Sequence, residues 1–124
     1  RGFFPCGGGT IRLARDMGWS NAMRYLLTGD QWSAEDAYRM GLVQHLTEPG
    51  KQLEKAMELA RSVARAAPLG VRNILKSGRL AETEGEQAAK KVIFQDVDEV
   101  MKSEDMKEGL LSFIERRKAV FKGK

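Results

Sequence analysis

Apolar residues recur at three- and four-residue spacing along most of the chain, with charged residues between them, and this pattern predicts helices. Leu53, Ala56, Met57, Ala60, Val63 and Ala64 fall on one face of a first long segment. Pro68 then interrupts, and it is acceptable in the first turn of a segment that uses Val71, Ile74 and Leu75. Ala88, Ala89, Val92, Ile93, Val97, Val100 and Met101 make another long stripe. Ser103 is placed to cap a last helix, with Glu104 and Asp105 at the positive end of its dipole. The expected buried face of that helix is Met106, Leu110, Phe113 and Ile114.

The first fifty residues read differently. Pro5-Cys6-Gly7-Gly8-Gly9-Thr10 is a glycine loop, open to backbone conformations that other residues avoid. A short helical pattern follows from Thr10 to Met17, stopped by Gly18. Ser20 is the expected cap of a helix that aligns Ala22, Met23, Leu26 and Leu27 and closes at Gly29. Ser33, with Glu35 and Asp36 behind it, opens another, which Gly41 ends. Leu42-Val43-Gln44-His45-Leu46 is the one strand expected, before the turn Thr47-Glu48-Pro49-Gly50. A lone strand has no ladder partners, so those partners are expected in a portion that precedes Arg1. The opening residues also lack an initiator Met and the pattern of a signal peptide.

Composition narrows the classes. With 124 residues, 42% hydrophobic and 31% charged, the chain has the balance of a soluble globular protein. No apolar run reaches the roughly 20 residues that span a bilayer, so no membrane role is expected. The single cysteine, Cys6, excludes an intramolecular disulfide and favours a reducing, cytoplasmic-type compartment. No Cys/His cluster suggests a metal. The net charge of +4 is concentrated at the end, where Arg116, Arg117, Lys118, Lys122 and Lys124 face the single acid Glu115. Such a cluster suits phosphates or is simply a solvated tail. It lacks the interleaved aromatics of a nucleic-acid surface, and no nucleic-acid partner is expected. His45 reads as a structural or surface histidine, and Trp19 and Trp32 as packing residues.

The order of motifs resembles the crotonase (enoyl-CoA hydratase/isomerase) family. Gly2-Phe3-Phe4-Pro5-Cys6-Gly7-Gly8-Gly9-Thr10 with Arg12-Leu13 is similar to its loop G-x-x-P-x-x-G-G-T-x-R-L. Ala22-Met23 through Leu27-Thr28-Gly29, then Ala34-Glu35-Asp36-Ala37 with Gly41-Leu42-Val43, follow its next two elements. Ala67-Pro68 with Lys76 is a fourth. Ser103-Glu104-Asp105, Glu108-Gly109, Phe113-Ile114-Glu115-Arg116-Arg117 and Phe121 match its closing signature. Five pieces in order cover nearly the whole chain.

The resemblance implies an α/β crotonase-like (ClpP/crotonase) fold, of which this chain is the mainly α-helical C-terminal portion. Residues 1–50 would end the core (glycine loop, helices, one strand), and residues 51–124 would form a helical oligomerisation and CoA-contact region. The implied partners are an acyl-CoA substrate, the missing N-terminal crotonase half, and further copies in a homo-trimer or hexamer. No cofactor is implied; coenzyme A enters as part of the substrate. By the same resemblance, Pro5, Cys6, Gly7 and Gly8 border the substrate, while Phe113, Arg116 and Lys122 meet the adenine and phosphate end of CoA. The acid–base carboxylates and the oxyanion-hole amides would lie upstream of Arg1. From the residues alone, the loop reads equally as a tight structural turn, Cys6 as an inert small residue, and Phe113 as a core side chain. Two rival functions stand beside the hydratase/isomerase: a non-catalytic helical assembly or CoA-contact fragment, and a carbon–carbon hydrolase of β-diketones.

Overall fold

The computed structural model describes residue 2 and residues 4–124; Arg1 and Phe3 of the loop motif lie outside the described residues. The described residues form seven helices and no strand: α1 (Gly9–Met17), α2 (Trp19–Thr28), α3 (Ala34–Arg39), α4 (Gln52–Ala64), α5 (Pro68–Glu84), α6 (Glu86–Met101) and α7 (Glu104–Ile114). They divide into two compact units, Arg1–Lys55 and Ala56–Lys124.

In the first unit α1 packs on α2 across a one-residue joint. Gly18 adopts φ 80°, which a side chain would resist, and so ends one helix while starting the next. Gly18 accepts the first helical hydrogen bond of α2 from Ala22 N at 3.0 Å. It therefore takes the capping place expected of Ser20, which lies inside the helix. Asn21 Nδ2 reaches back 2.9 Å to Met17 O and satisfies a last-turn carbonyl of α1. The core is small: Met17, Ala22, Tyr25 and Met40, bordered by Leu13, Ala14, Met23, Leu26 and Leu42. Trp32 sets its edge against the Tyr25 ring at 5.3 Å, whereas Trp19 is exposed rather than packed.

Helix α3 starts as its sequence predicts. Ser33 Oγ accepts from Asp36 N at 3.0 Å, and Asp36 Oδ2 accepts from Ser33 N at 3.4 Å, a reciprocal capping box. Its end bears on the expected strand, whose ladder partners are expected in a portion that precedes Arg1. Leu42 N donates to Ala37 O at 2.9 Å and Gly41 N to Tyr38 O at 3.1 Å, the paired closure of a Schellman turn. Leu42 is thereby bound to the helix and packed on the core, and residues 42–46 form no ladder. His45 is on the surface.

In the second unit α5 and α6 lie along one another, and α7 follows from α6. Polar bonds tie α5 to α6. Arg72 meets Glu99 at 2.6 Å, Asn73 Nδ2 donates to Asp96 O (3.2 Å) and Glu99 Oε2 (3.1 Å), and Lys76 Nζ meets Asp96 Oδ1 at 2.5 Å. The buried groups here are mainly polar: Asn73, Asp96, Ser103, Asp105 and Ser112, beside Ala89. The apolar stripes are not. Ile74 is 73% exposed and Met101 56%, and α4 buries no residue. Helix α7 corrects its expected buried face in the same way, since Met106, Leu110, Phe113 and Ile114 are all exposed. The stripes mark faces that these residues leave uncovered.

Candidate functional site

The glycine loop is built around one arginine. Gly8 sits at φ 86°, immediately before α1, and its carbonyl accepts Arg12 N at 3.0 Å. The Arg12 guanidinium turns back onto the same loop, where Nη2 donates to Gly7 O. A Cβ on Gly8 would come within 3.1 Å of that guanidinium, and its left-handed φ resists a side chain in any case. Gly7, Gly8 and the arginine of the motif are therefore one device, a turn closed by its own helix. Cys6 N donates to Phe4 O at 2.8 Å, and the Cys6 thiol is free and exposed. Beyond the turn, the first amides of α1 point out of the helix at its positive end, so they can orient a water or a carbonyl oxygen. Beside the loop lies a largely apolar cavity of about 480 Å³, walled by Phe4, Pro5, Thr10, Met23, Leu26 and Leu27 together with Gly2. Of the four loop residues expected to border substrate, Pro5 contributes to this wall.

The closing segment belongs to the second unit. Ser103 caps α7 as its sequence predicts, accepting from Met106 N at 3.0 Å and donating to Val100 O at 2.6 Å. The tail then folds back along α7 onto two carboxylates. Asp105, only 3% exposed, accepts Lys122 N at 2.7 Å and Gly123 N at 2.8 Å, and its own N–H donates to Lys124 O at 3.1 Å. Glu108 takes a two-pronged contact from Arg117, with Nη2 2.8 Å from Oε2, and also accepts Val120 N at 2.8 Å. The Arg117 contact, then the Val120 amide, holds the Glu108 carboxyl down to about 2, while the two carboxylates raise Arg117 further. The Phe121 ring packs near Gly109, its Cε1 at ordinary contact distance, 3.7 Å, from where a Cβ would stand.

This latch presents the three residues expected at the CoA end. Phe113 is 82% exposed, so the described residues leave its ring uncovered. Arg116 stands just past the helix at φ 52°, a left-handed conformation in a non-glycine residue. Lys122 is fixed through its backbone, with its side chain exposed. That Asp105 and Glu108 hold the C-terminal tail is not evident from the sequence. Their only signal was the S-E-D-x-x-E-G spelling, which places two acids on one face of α7. Pro5–Gly8 and the closing segment belong to different units. Among the described residues no cluster of His, Cys, Asp and Glu could hold a metal ion, and no helix is long and apolar enough to cross a membrane.

Comparison with known proteins extends this picture. The family profile described as enoyl-CoA hydratase/isomerase matches residues 1–124. The enoyl-CoA hydratase EchA19 of Mycobacterium tuberculosis is 38% identical over 121 residues, covering 98% of this chain and 46% of that protein. The mitochondrial enoyl-CoA hydratase of Pongo abelii is 34% identical over 125 residues, covering 98% and 42%. Among solved structures, a probable enoyl-CoA hydratase/isomerase from Mycobacterium abscessus superposes with a TM-score of 0.92 at 43% identity. That match covers 100% of this chain and 48% of the other. The chain thus spans about half the length of the curated relatives it matches.

Proposed function

Since the chain belongs to the enoyl-CoA hydratase/isomerase family, we propose that it serves an enzyme that adds water to, or isomerises, an acyl-CoA thioester. Its fold is the mainly helical C-terminal portion of the crotonase subunit. The observation that carries the reading is the family match along the whole of residues 1–124.

In this reading the chemistry is shared. Backbone amides in the half of the relatives that this chain does not span polarise the thioester carbonyl, and two carboxylates there place a hydroxyl on one alkene carbon and a proton on its neighbour. Pro5, Cys6, Gly7 and Gly8 wall the site near the reacting carbons, where small residues let backbone approach the acyl chain. Phe113 offers its ring to adenine, and Arg116 and Lys122 offer cations to the ribose phosphate. Residues 1–50 would close the core, and residues 51–124 would serve CoA contact and assembly. The uncovered stripes on α4 to α7 support docking onto the rest of the subunit and onto further copies in a trimer or hexamer. A reducing, cytoplasmic-type compartment suits the exposed thiol of Cys6.

The test is hydration of crotonyl-CoA, followed by loss of the conjugated enoyl absorbance, with calorimetric titration of CoA alongside. We expect turnover by the protein joined to its N-terminal half, and CoA binding that Phe113→Ala with Arg116→Ala abolishes. Turnover with no dependence on the CoA moiety would replace this reading with CoA-independent chemistry on the same fold.

A further inference from the structure

Resting on the CoA reading above, we propose that Glu108, acting through Arg117, is a positioning residue that holds Arg116 in its left-handed turn and aims its guanidinium at a nucleotide phosphate. Helix α7 ends in a complete Schellman closure, with Arg117 N donating to Ser112 O at 3.0 Å and Arg116 N to Phe113 O at 3.3 Å. The position in the middle of such a closure is normally glycine, because a Cβ there crowds the following carbonyl. Here it is Arg116, at φ 52°. A helix terminus that needed only to stop would be better served by glycine. The strained arginine is therefore explained by its side chain, not by its backbone.

Two adjacent arginines divide the work. Arg117 is fully engaged: it grips both oxygens of Glu108 and reaches Glu115 through Nε at 2.5 Å. Glu108 is pinned in turn by Val120 N. The residue after Arg116 is thus clamped onto α7, and the residue before it, Glu115, keeps helical backbone angles and donates to Leu111 O, so the turn has little freedom to relax. The Arg116 side chain, in contrast, meets no hydrogen-bond or ionic partner among the described residues. It leaves the helix within one turn of the exposed Phe113 ring. An exposed aromatic face and an unengaged cation on a backbone turn held in one conformation fit a purine bearing a phosphate.

The experiment is calorimetric titration of the protein with adenosine 3′,5′-bisphosphate and with adenosine, for wild type, Arg116→Gly, Glu108→Gln and the double variant. Arg116→Gly keeps the turn and removes only the cation, so it guards against loss of fold. Wild type should favour the bisphosphate, and Arg116→Gly should weaken that preference roughly tenfold, the worth of one charge-assisted contact. Glu108→Gln should weaken it severalfold, leave adenosine unchanged, and add nothing in the Arg116→Gly background. Equal, additive losses in both backgrounds, or no loss in Glu108→Gln, would overturn the positioning role while leaving the CoA reading intact. A wild-type protein without preference for the bisphosphate would overturn the CoA reading itself, and this inference with it.

Discussion

Replacing Asp105 with alanine tests whether the latch or the local helix holds the C-terminal tail. Two charge-assisted hydrogen bonds are removed, from Lys122 N and Gly123 N. Each such bond contributes about 1.5–3 kcal/mol when its partners stay buried. The released amides belong to a tail that can peel away and regain water, so the two losses are not both felt in full. The tail also recovers conformational entropy. Loss of the carboxylate from the first turn of α7 adds about 0.5 kcal/mol through the helix dipole. Together these place the cost at about 2–3 kcal/mol. Glu104 provides the control, being in the same turn but exposed and 3.5 Å from Lys124 Nζ, where an ion pair contributes about 0–1 kcal/mol. Urea unfolding should show a lower midpoint at constant slope for Asp105→Ala and almost none of this for Glu104→Ala. Hydrogen exchange should show the Lys122 and Gly123 amides losing protection together. If the two variants are equally stable, or those amides remain protected in Asp105→Ala, the tail is held by something other than this carboxylate.

Acid should loosen the neighbouring contact with a defined sign. Glu108 titrates near 2 in the folded chain against an ordinary 4.5, so the unfolded chain binds its proton first. The stabilisation is complete above about pH 4.5 and is lost as pH falls through 2; protection of the Val120 amide should follow that profile, and Glu108→Gln should flatten it. Between α5 and α6, Lys76 is the partner of Asp96 Oδ1, while Asp96 Oδ2 is buried with no hydrogen-bond partner among the described residues. Lys76→Met should cost roughly 1–2 kcal/mol after discounting for the exposed ammonium, and Asp96→Asn in that background should recover part of it. A coupling energy near zero in this double-mutant cycle would refute the pairing.

Helix number and position were legible because the stripes are long and the punctuation is local. Gly18, Gly29 and Gly41 each end a segment where the sequence placed a stop, and Ser33 and Ser103 each accept a hydrogen bond from the third residue of their helices. Periodicity identifies which residues share a face but not what covers that face. Hence Phe113, Ile114 and Ile74 share faces with other apolar residues and still lie exposed. The Leu42–Leu46 segment has strand composition, yet five residues cannot pair alone, and the Schellman turn at Gly41 binds its first residue to α3 instead. The site was legible as letters only. Arg12 and the glycine pair were matched as a motif, but that the arginine closes onto Gly7 O depends on the helix that follows. The Asp105 and Glu108 roles depend on a tail that returns from nine to eighteen residues away, beyond the reach of any local pattern.

That return also changes what the basic end of the chain means. Counted along the sequence, five cations face one acid, a composition that suits any polyanion. In the folded chain Arg117 is engaged by Glu108 and Glu115, and Lys124 faces Glu104, while Arg116, Lys118 and Lys122 remain outward. Two of the five cations are thus engaged by carboxylates and three stay exposed, with the Phe113 ring also exposed near the end of α7. Such an arrangement discriminates by geometry at contact distance, since charges farther off than roughly 10 Å are screened at ordinary ionic strength. A long polyanion would meet the acids of α7 as often as the cations. On the CoA reading proposed above, a compact phosphate joined to an aromatic base would suit these cations and the exposed Phe113 ring better than a long polyanion would.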